Sequence, residues 1–333
     1  MENSNIKIAL ILGGTSPERE VSKATGKSIL SALRSLGYSV KVIDPSYGLN
    51  QPENEGDFFG PDIDIPMSNK NYIEIINSPL FDDINAAFLA LHGVWGEDGA
   101  IQSLLELRGI PYTGSKILAS ALGMDKEMTK IMLQYKGVET PKWITASKGY
   151  NLEETLSLIK ELFGYPCVIK PNDQGSTIGL TICGDNKGVE EAINKALGLS
   201  KKALIEEYIP GRELTVGILD QTPLPVLEIK PKHTYYDYEC KYTSGMSEYE
   251  VPARISDETA SYLQAKALLA FNAVGCESYS RIDFRLASDG KAYCLEINTL
   301  PGMTSTSLVP KMAKAAGISF EELIDRIIKS ALR

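Results

Sequence analysis

The sequence predicts an α/β protein that opens on a doubly wound parallel sheet and continues into α+β, mostly antiparallel structure. Three observations lead there. The apolar run 8–12 stops at Gly13-Gly14, and a helical period follows in Val21, Ala24, Ile29, Ala32, Leu33 and Leu36 before a second apolar run at 39–43. Strand, Gly-rich turn, helix, strand is how a doubly wound sheet begins. In the second half, several apolar runs are joined by short turns, the pattern of antiparallel sheet. The 333 residues, 43% hydrophobic and 23% charged, have the balance of a globular protein large enough for two or three domains.

Taken in order, residues 17–36 form the first helix, closed by Gly37, and 39–43 the second strand. Residues 45–70 are rich in Pro, Gly, Asn and Asp and show no period, so they are expected to be a surface insertion. A third strand at 86–91 leads into the loop His92-Gly93-Val94-Trp95-Gly96-Glu97-Asp98-Gly99, and a helix at 100–107 completes a first unit ending near Gly114. Residues 116–135 read as one helix. Strands at 143–145 and 167–170 flank another helix, and a polar loop, Asn172 to Gly179, joins the second to a strand at 180–183. Further strands are expected at 203–209, 214–219, 224–229, 281–286 and 292–297. No internal repeat or low-complexity tract is present.

Composition removes several function classes. Lys and Arg number 34 against 43 Asp and Glu, a net charge of −9, which argues against a nucleic-acid binder. No apolar run approaches the ~18 residues of a membrane span, and the run near the start lacks the basic flank of a signal peptide, so a cytoplasmic protein is expected. Five scattered cysteines suggest neither a disulfide framework nor a zinc site, and two histidines leave little room for His-based chemistry. Gly26-Lys27-Ser28 lacks the first glycine of a Walker A loop, since Val21 stands there, and Gly13-Gly14 does not extend to G-x-G-x-x-G.

The C-terminal hairpin is more informative. If Asp289-Gly290 is its two-residue turn, Asp283 lies opposite Glu296 and Arg281 opposite Asn298, all four on one face. Ile282, Phe284, Leu295 and Ile297 then face the core. Two facing acids repel unless a cation joins them, and these oxygens suit Mg²⁺; the bland alternative is a solvated face neutralised by Arg281. The Asn172–Gly179 loop, with Ser176 and Thr177, offers phosphate-binding backbone N–H groups, or is an ordinary connection. Thr15 and Glu18 fit a capping box, yet Glu18 also stands at a strand's carboxyl end, where such sheets bind ligands. His92 follows a strand end too, but a lone histidine is more often structural.

Together these segments resemble the D-alanine–D-alanine ligases of the ATP-grasp superfamily over nearly the whole chain. The resemblance is carried by Leu12 to Ser22, Leu91-His92-Gly93, Gly96 to Gly99, Met124-Asp125-Lys126, Lys170-Pro171 to Gly179, Tyr236 to Tyr242, Arg281-Ile282-Asp283, and Glu296 through Gly302 to Leu308. It implies a three-domain ATP-grasp fold, with an N-terminal substrate domain at 1–114, a central lid domain at 115–206 and a C-terminal domain at 207–333. It implies that Lys126 and Lys170 contact ATP phosphates, that Glu206 and the backbone near Glu207 and Ile209 meet the adenine, and that Glu213 meets the ribose. Asp283, Glu296 and Asn298 would hold two Mg²⁺ (or Mn²⁺) ions. Glu18 and His92 would sit by the ammonium of the first D-alanine, and Arg281 with the Gly302 N–H would form an oxyanion hole. Lys241, Ser307 and Leu308 would receive the second D-alanine, while Ser176 and Tyr242 join Glu18 in a closing network. A tyrosine at position 242 goes with dipeptide synthesis in that family, and phenylalanine with some lactate-using relatives. A homodimer is implied; K⁺ dependence is left open. Two rivals stay in view: another ATP-grasp ligase, such as a D-alanine–D-lactate ligase, and a non-catalytic nucleotide-binding protein.

Overall fold

The computed structural model describes residues 3–232, 243 and 245–333. Its first strand, β1 (Lys7–Ile11), is apolar on both faces because both are covered; Ile8, Leu10 and Ile11 have no solvent exposure. Then come α1 (Arg19–Ser35), β2 (Ser39–Ile43), α2 (Lys70–Ile76), β3 (Ala86–Leu89) and α3 (Ala100–Arg108). The strands pair in parallel in the order β2-β1-β3, and Tyr112 adds a parallel bridge to Ala87. This is the expected doubly wound opening. Gly13 and Gly14 end β1 at φ +78° and +76°, and a Cβ on Gly13 would fall 2.1 Å from the Asp44 carboxylate, so the turn requires glycine.

Residues 45–70 are not a loose surface insertion. Ser46, Tyr47 and Phe58 are buried, and Asp62 accepts from Arg19 Nε at 2.7 Å and from Lys23 Nζ at 2.6 Å, both on α1. A segment held by ion pairs needs no apolar period, which is why pattern reading misjudges it. The single helix expected at 116–135 is two, α4 (Ile117–Met124) and α5 (Lys126–Tyr135). Asp125 breaks them with extended backbone and caps α5, its carboxylate accepting from Met128 N at 3.0 Å.

Next, β4 (Trp143–Ser147), α6 (Leu152–Leu162), β5 (Cys167–Pro171), β6 (Thr181–Cys183), α7 (Val189–Leu197) and β7 (Lys202–Glu207) build an antiparallel sheet ordered β4-β7-β5-β6. Ile159 of α6 and Val189 and Ile193 of α7 share its core. The third sheet comprises β8 (Arg212–Leu219), β9 (Thr222–Pro223), β10 (Leu227–Pro231), β11 (Ser247–Glu250), and, after α8 (Asp257–Val274), β12 (Tyr279–Leu286) and β13 (Ala292–Asn298). Its order is β11-β10-β8-β12-β13, with β9 on β8, all antiparallel. Leu263, Ala267 and Phe271 of α8 pack with Val216, Ile282 and Phe284, and Leu133 of α5 joins the same core. Two helices close the chain, α9 (Leu308–Ala315) and α10 (Phe320–Ala331). α10 returns to the first sheet, burying Ile324, Ile327 and Ile328 with Ile8 and Leu10. Among the described residues no helix is long and apolar enough to cross a membrane.

The β12–β13 hairpin pairs Arg281 with Asn298 and Asp283 with Glu296, as the sequence predicts, but by a different route. The turn holds three residues, not two: Ala287 N bonds Lys291 O, and Gly290 adopts φ +84°. Near it the pairs are Leu286 with Ala292 and Phe284 with Cys294, one residue off the expected register. A bulge at Leu295 restores the register before Glu296. Cys294 therefore takes the buried place expected of Leu295, and Leu295 turns toward a cleft.

Candidate active site

Two adjoining cavities open where the three sheets meet. The larger, about 510 Å³, takes Glu18 and His92 from the first sheet's loops, Ser176 from the 172–179 loop, Arg281 and Asn298 from the hairpin, and Gly302, Ser307 and Leu308 from the segment before α9. The smaller, about 120 Å³, takes Lys170, Glu206, Glu207, Ile209, Glu213 and Asp283. Lys126 and Glu296 line both. Every predicted site residue that the structure describes thus lines one of the two; Lys241 and Tyr242 lie outside the described residues.

The capping box at the start of α1 does not form. Thr15 Oγ1 donates to Asn69 Oδ1 instead, and the Glu18 side chain makes no cap hydrogen bond. Its carboxylate accepts from Ser176 Oγ, which joins the first sheet to the 172–179 loop. Two glycines let the backbone come this close: a Cβ on Gly93, at φ +68°, would lie 2.7 Å from Glu18 Oε2, and one on Gly175 would lie 2.9 Å from it. Ser176 and Thr177 hold left-handed backbone at φ +51° and +62°, a strained arrangement that such sites often store. Ser16 Oγ donates to His92 O at 2.6 Å, and His92 Nε2 lies 3.1 Å from Thr25 Oγ1. Burial pulls the His92 pKa below its ordinary value; Glu18 opposes the shift and Arg281 adds to it, so the ring is neutral at pH 7.

Glu97 was not among the expected residues, yet it lines the larger cavity. Gly93 N donates to its Oε1 at 2.9 Å, and burial, with Glu18 nearby, pushes its pKa up to about 8. Its position after a strand end, in Gly96 to Gly99, was the available signal. The linkage sign is definite. Glu97 ionises in the unfolded chain above about 4.5 but stays protonated in the fold to about 8, so stability falls as pH rises across that window. Glu97→Gln keeps the Gly93 bond and removes the penalty. In scanning calorimetry of the ligand-free protein it should melt higher than the parent near pH ~8.5, with the gain vanishing near ~4.5. Equal melting at the alkaline end would show that the carboxyl is not held protonated.

Asp283 and Glu296 stand opposite each other on the hairpin. Arg281 Nε and Nη2 donate to the two Asp283 oxygens at 2.9 and 2.8 Å, and Thr215 Oγ1 donates at 2.6 Å. Glu296 lies 3.8 Å from Lys126 Nζ, and Asn298 Oδ1 accepts from Leu300 N at 3.1 Å. The Arg281 pairing is the one the bland alternative requires. The donor set, two carboxylates and an amide oxygen, is nevertheless all hard oxygen and fits Mg²⁺ in kind. Among the described residues no group of three or more His, Cys, Asp or Glu side chains could hold a metal by itself. Few protein ligands is the usual arrangement for Mg²⁺ that is shared with substrate phosphates.

In the smaller cavity, Lys170 Nζ donates to Glu206 Oε1 at 2.5 Å, and Lys130 Nζ pairs with Glu206 Oε2 at 2.8 Å. Lys170 takes Oε1, whereas Oε2, beside the Lys130 ammonium, accepts no hydrogen bond among the described residues. Lys126 Nζ donates to Gln174 O at 2.7 Å, and its backbone N to Asn172 O at 3.1 Å, seating the loop on the start of α5. Glu213 pairs with Arg285 at 3.7 Å. Arg285 and Leu295 also line this cavity and were not anticipated.

Two family models match most of the chain. One described as "D-ala D-ala ligase N-terminus" matches residues 7–115, and one described as "D-ala D-ala ligase C-terminus" matches 132–329. The chain belongs to the D-alanine–D-alanine ligase family. It is 43% identical to the D-alanine–D-alanine ligase of Syntrophotalea carbinolica over 98% of this chain and 96% of that one. It is 42% identical to that of Carboxydothermus hydrogenoformans over 98% of each. The solved D-alanine–D-alanine ligase of Bacillus anthracis, also determined with ATP, superposes with TM-score 0.79 at 35% identity over 98% of each chain. VanG D-Ala:D-Ser ligase from Enterococcus faecalis gives TM-score 0.82 at 27% identity over 98% of this chain and 99% of that one. The fold is therefore the ATP-grasp fold of this family, and backbone shape alone does not separate its members by second substrate.

Proposed function

We propose that the chain ligates two D-alanines into D-alanyl-D-alanine, with ATP cleaved to ADP and phosphate, for peptidoglycan precursor synthesis in the cytoplasm. The observation that carries this reading is that Lys126 and Glu296 line both cavities. A nucleotide in the smaller cavity would present its terminal phosphate where a carboxylate in the larger one can reach it. The domains are proposed to divide at 114/115 and 206/207, and the protein to act as a homodimer.

A carboxylate does not acylate an ammonium at neutral pH, because both are charged and the leaving group would be oxide. The first D-alanine would set its ammonium by Glu18 and neutral His92. Its carboxylate oxygen then attacks the γ-phosphorus, ADP leaves, and an acyl phosphate results. Lys126 and Lys170 offset the charge of the transferring phosphoryl group. Mg²⁺ held by Asp283, Glu296 and Asn298 would supply further charge neutralisation there. The second D-alanine, received at Lys241, Ser307 and Leu308, loses a proton and attacks the acyl carbon. Arg281 and the Gly302 N–H would stabilise the tetrahedral oxyanion before phosphate departs. Each such donor is worth about 3–4 kcal/mol of barrier. Water would hydrolyse the acyl phosphate, and the 172–179 loop and the segment 233–250, of which 233–242 and 244 lie outside the described residues, are the proposed lids. The nucleotide would occupy the smaller cavity, beneath Gln174, Thr177 and Ile178 of the 172–179 loop.

Phosphate release with ATP, Mg²⁺ and a panel of D-alanine, D-serine and D-lactate tests the proposal, with products identified by mass. D-alanyl-D-alanine should predominate near neutral pH. Tyr242 is proposed to tie the lid to Ser176 and Glu18 around an amine nucleophile, so Tyr242→Phe should raise ester relative to peptide synthesis. A parent protein yielding mainly D-alanyl-D-lactate or D-alanyl-D-serine would overturn the choice of second substrate. No nucleotide-dependent product at all would favour a non-catalytic binder.

A further inference from the structure

We propose that Lys130, which lines neither cavity, is a positioning residue that acts through Glu206 to hold Lys170 at the nucleotide's phosphates. Its side chain has no solvent exposure. Its Nζ donates to Thr140 Oγ1 at 2.8 Å and to Pro141 O at 3.2 Å, and forms an ion pair with Glu206 Oε2 at 2.8 Å. Burial draws the Lys130 pKa down, and the Glu206 carboxylate opposes that shift. Full burial outside both cavities keeps it from a ligand, so Lys130 acts indirectly.

The consequence reaches the cleft through one carboxylate. Glu206 gives one oxygen to Lys130 and the other to Lys170, and Lys170 lines the smaller cavity. Within this buried trio two ammonium groups face one carboxylate. The surplus positive charge is displayed at Lys170, where a polyphosphate can answer it. If Lys130 lost its charge, Glu206 would lose one of its two buried counter-charges and draw Lys170 inward, away from the ligand. The trio also joins separate parts of the fold. Lys130 sits one turn beyond Lys126 on α5, which packs into the core of the third sheet, whereas Lys170 and Glu206 lie on β5 and β7. Lys202 of β7 and Glu127 of α5 make a second ion pair across the same boundary.

The inference rests on the nucleotide reading of the smaller cavity, and the experiment separates the two. Binding of ADP and of AMP is measured by calorimetry for the parent, Lys130→Met and Lys130→Gln, well below each melting temperature, together with KM for ATP and for D-alanine. The expected result is ADP binding weakened about tenfold or more in both variants, AMP binding within about twofold, KM for ATP raised and KM for D-alanine unchanged. A merely structural Lys130 would lower melting temperature and leave the ADP-to-AMP ratio where it was. Lys130→Gln keeps polar contact with Thr140 and serves if the methionine variant does not fold. Unchanged ADP affinity in a folded variant, or equal loss for ADP and AMP, would overturn the inference alone. A parent that bound neither nucleotide would sink both it and the reading on which it rests.

Discussion

Glu296→Gln is expected to lower kcat by about 10²–10³, the usual cost of removing one preorganised group that stabilises transition-state charge. Glu296 lines both cavities, stands opposite Asp283 in the ladder, and lies 3.8 Å from Lys126. Gln preserves its volume and one oxygen while removing the charge that the transferring phosphoryl group and its cation would use. The ligand-free protein should keep its melting temperature, since two facing carboxylates gain nothing from each other without a cation. Steady-state rates and a melting curve on the same preparation check this. Retained turnover, or a marked fall in thermal stability, would favour the solvated-face alternative in which Arg281 merely neutralises the acids.

Glu18→Gln should raise the KM of the first D-alanine by about 10–100-fold, with KM for ATP and melting temperature nearly unchanged. The estimate takes the loss of a buried charged hydrogen-bond partner as about 1.5–3 kcal/mol. A capping role would instead have predicted a stability loss of about 1 kcal/mol, but the Glu18 carboxylate makes no cap hydrogen bond and bonds Ser176. D-alanine saturation curves resolved into their two half-sites are the measurement. An unaltered low-concentration phase would remove Glu18 from the substrate's ammonium.

What the sequence made legible follows from where its signals are local. The parallel opening is legible because residues 8–12, four of them in β1, are buried in succession and end in a Gly-Gly turn. The facing of Asp283 and Glu296 follows from the sequence even with a two-residue turn, because the Leu295 bulge offsets the extra turn residue. Neither the three-residue turn nor the bulge leaves a periodic trace. The break at Asp125 was hidden because apolar residues continue through it. Lys130, Glu97 and Arg285 escaped because each acquires its meaning from partners distant in sequence. Lys130 needs Glu206, Glu97 needs Glu18, and Arg285 needs Glu213. The long helices α8 and α10 decide how the third sheet is backed and how the chain's end returns to β1, and such long-range packing has no local marker.

The Leu295 bulge also changes what can vary independently in this site. A regular strand alternates its side chains, so the residue beside Glu296 would ordinarily face the core. Here two consecutive side chains, one apolar and one acidic, border the same small cavity. The acid's place is held by the ladder pairs around it, 282 with 297 and 283 with 296, none of which involves Leu295. The size of residue 295 can therefore change while both carboxylates stay where they are. With the nucleotide in that cavity as proposed, selectivity for the nucleoside and competence for phosphoryl transfer would be separable traits, set by adjacent residues of one strand.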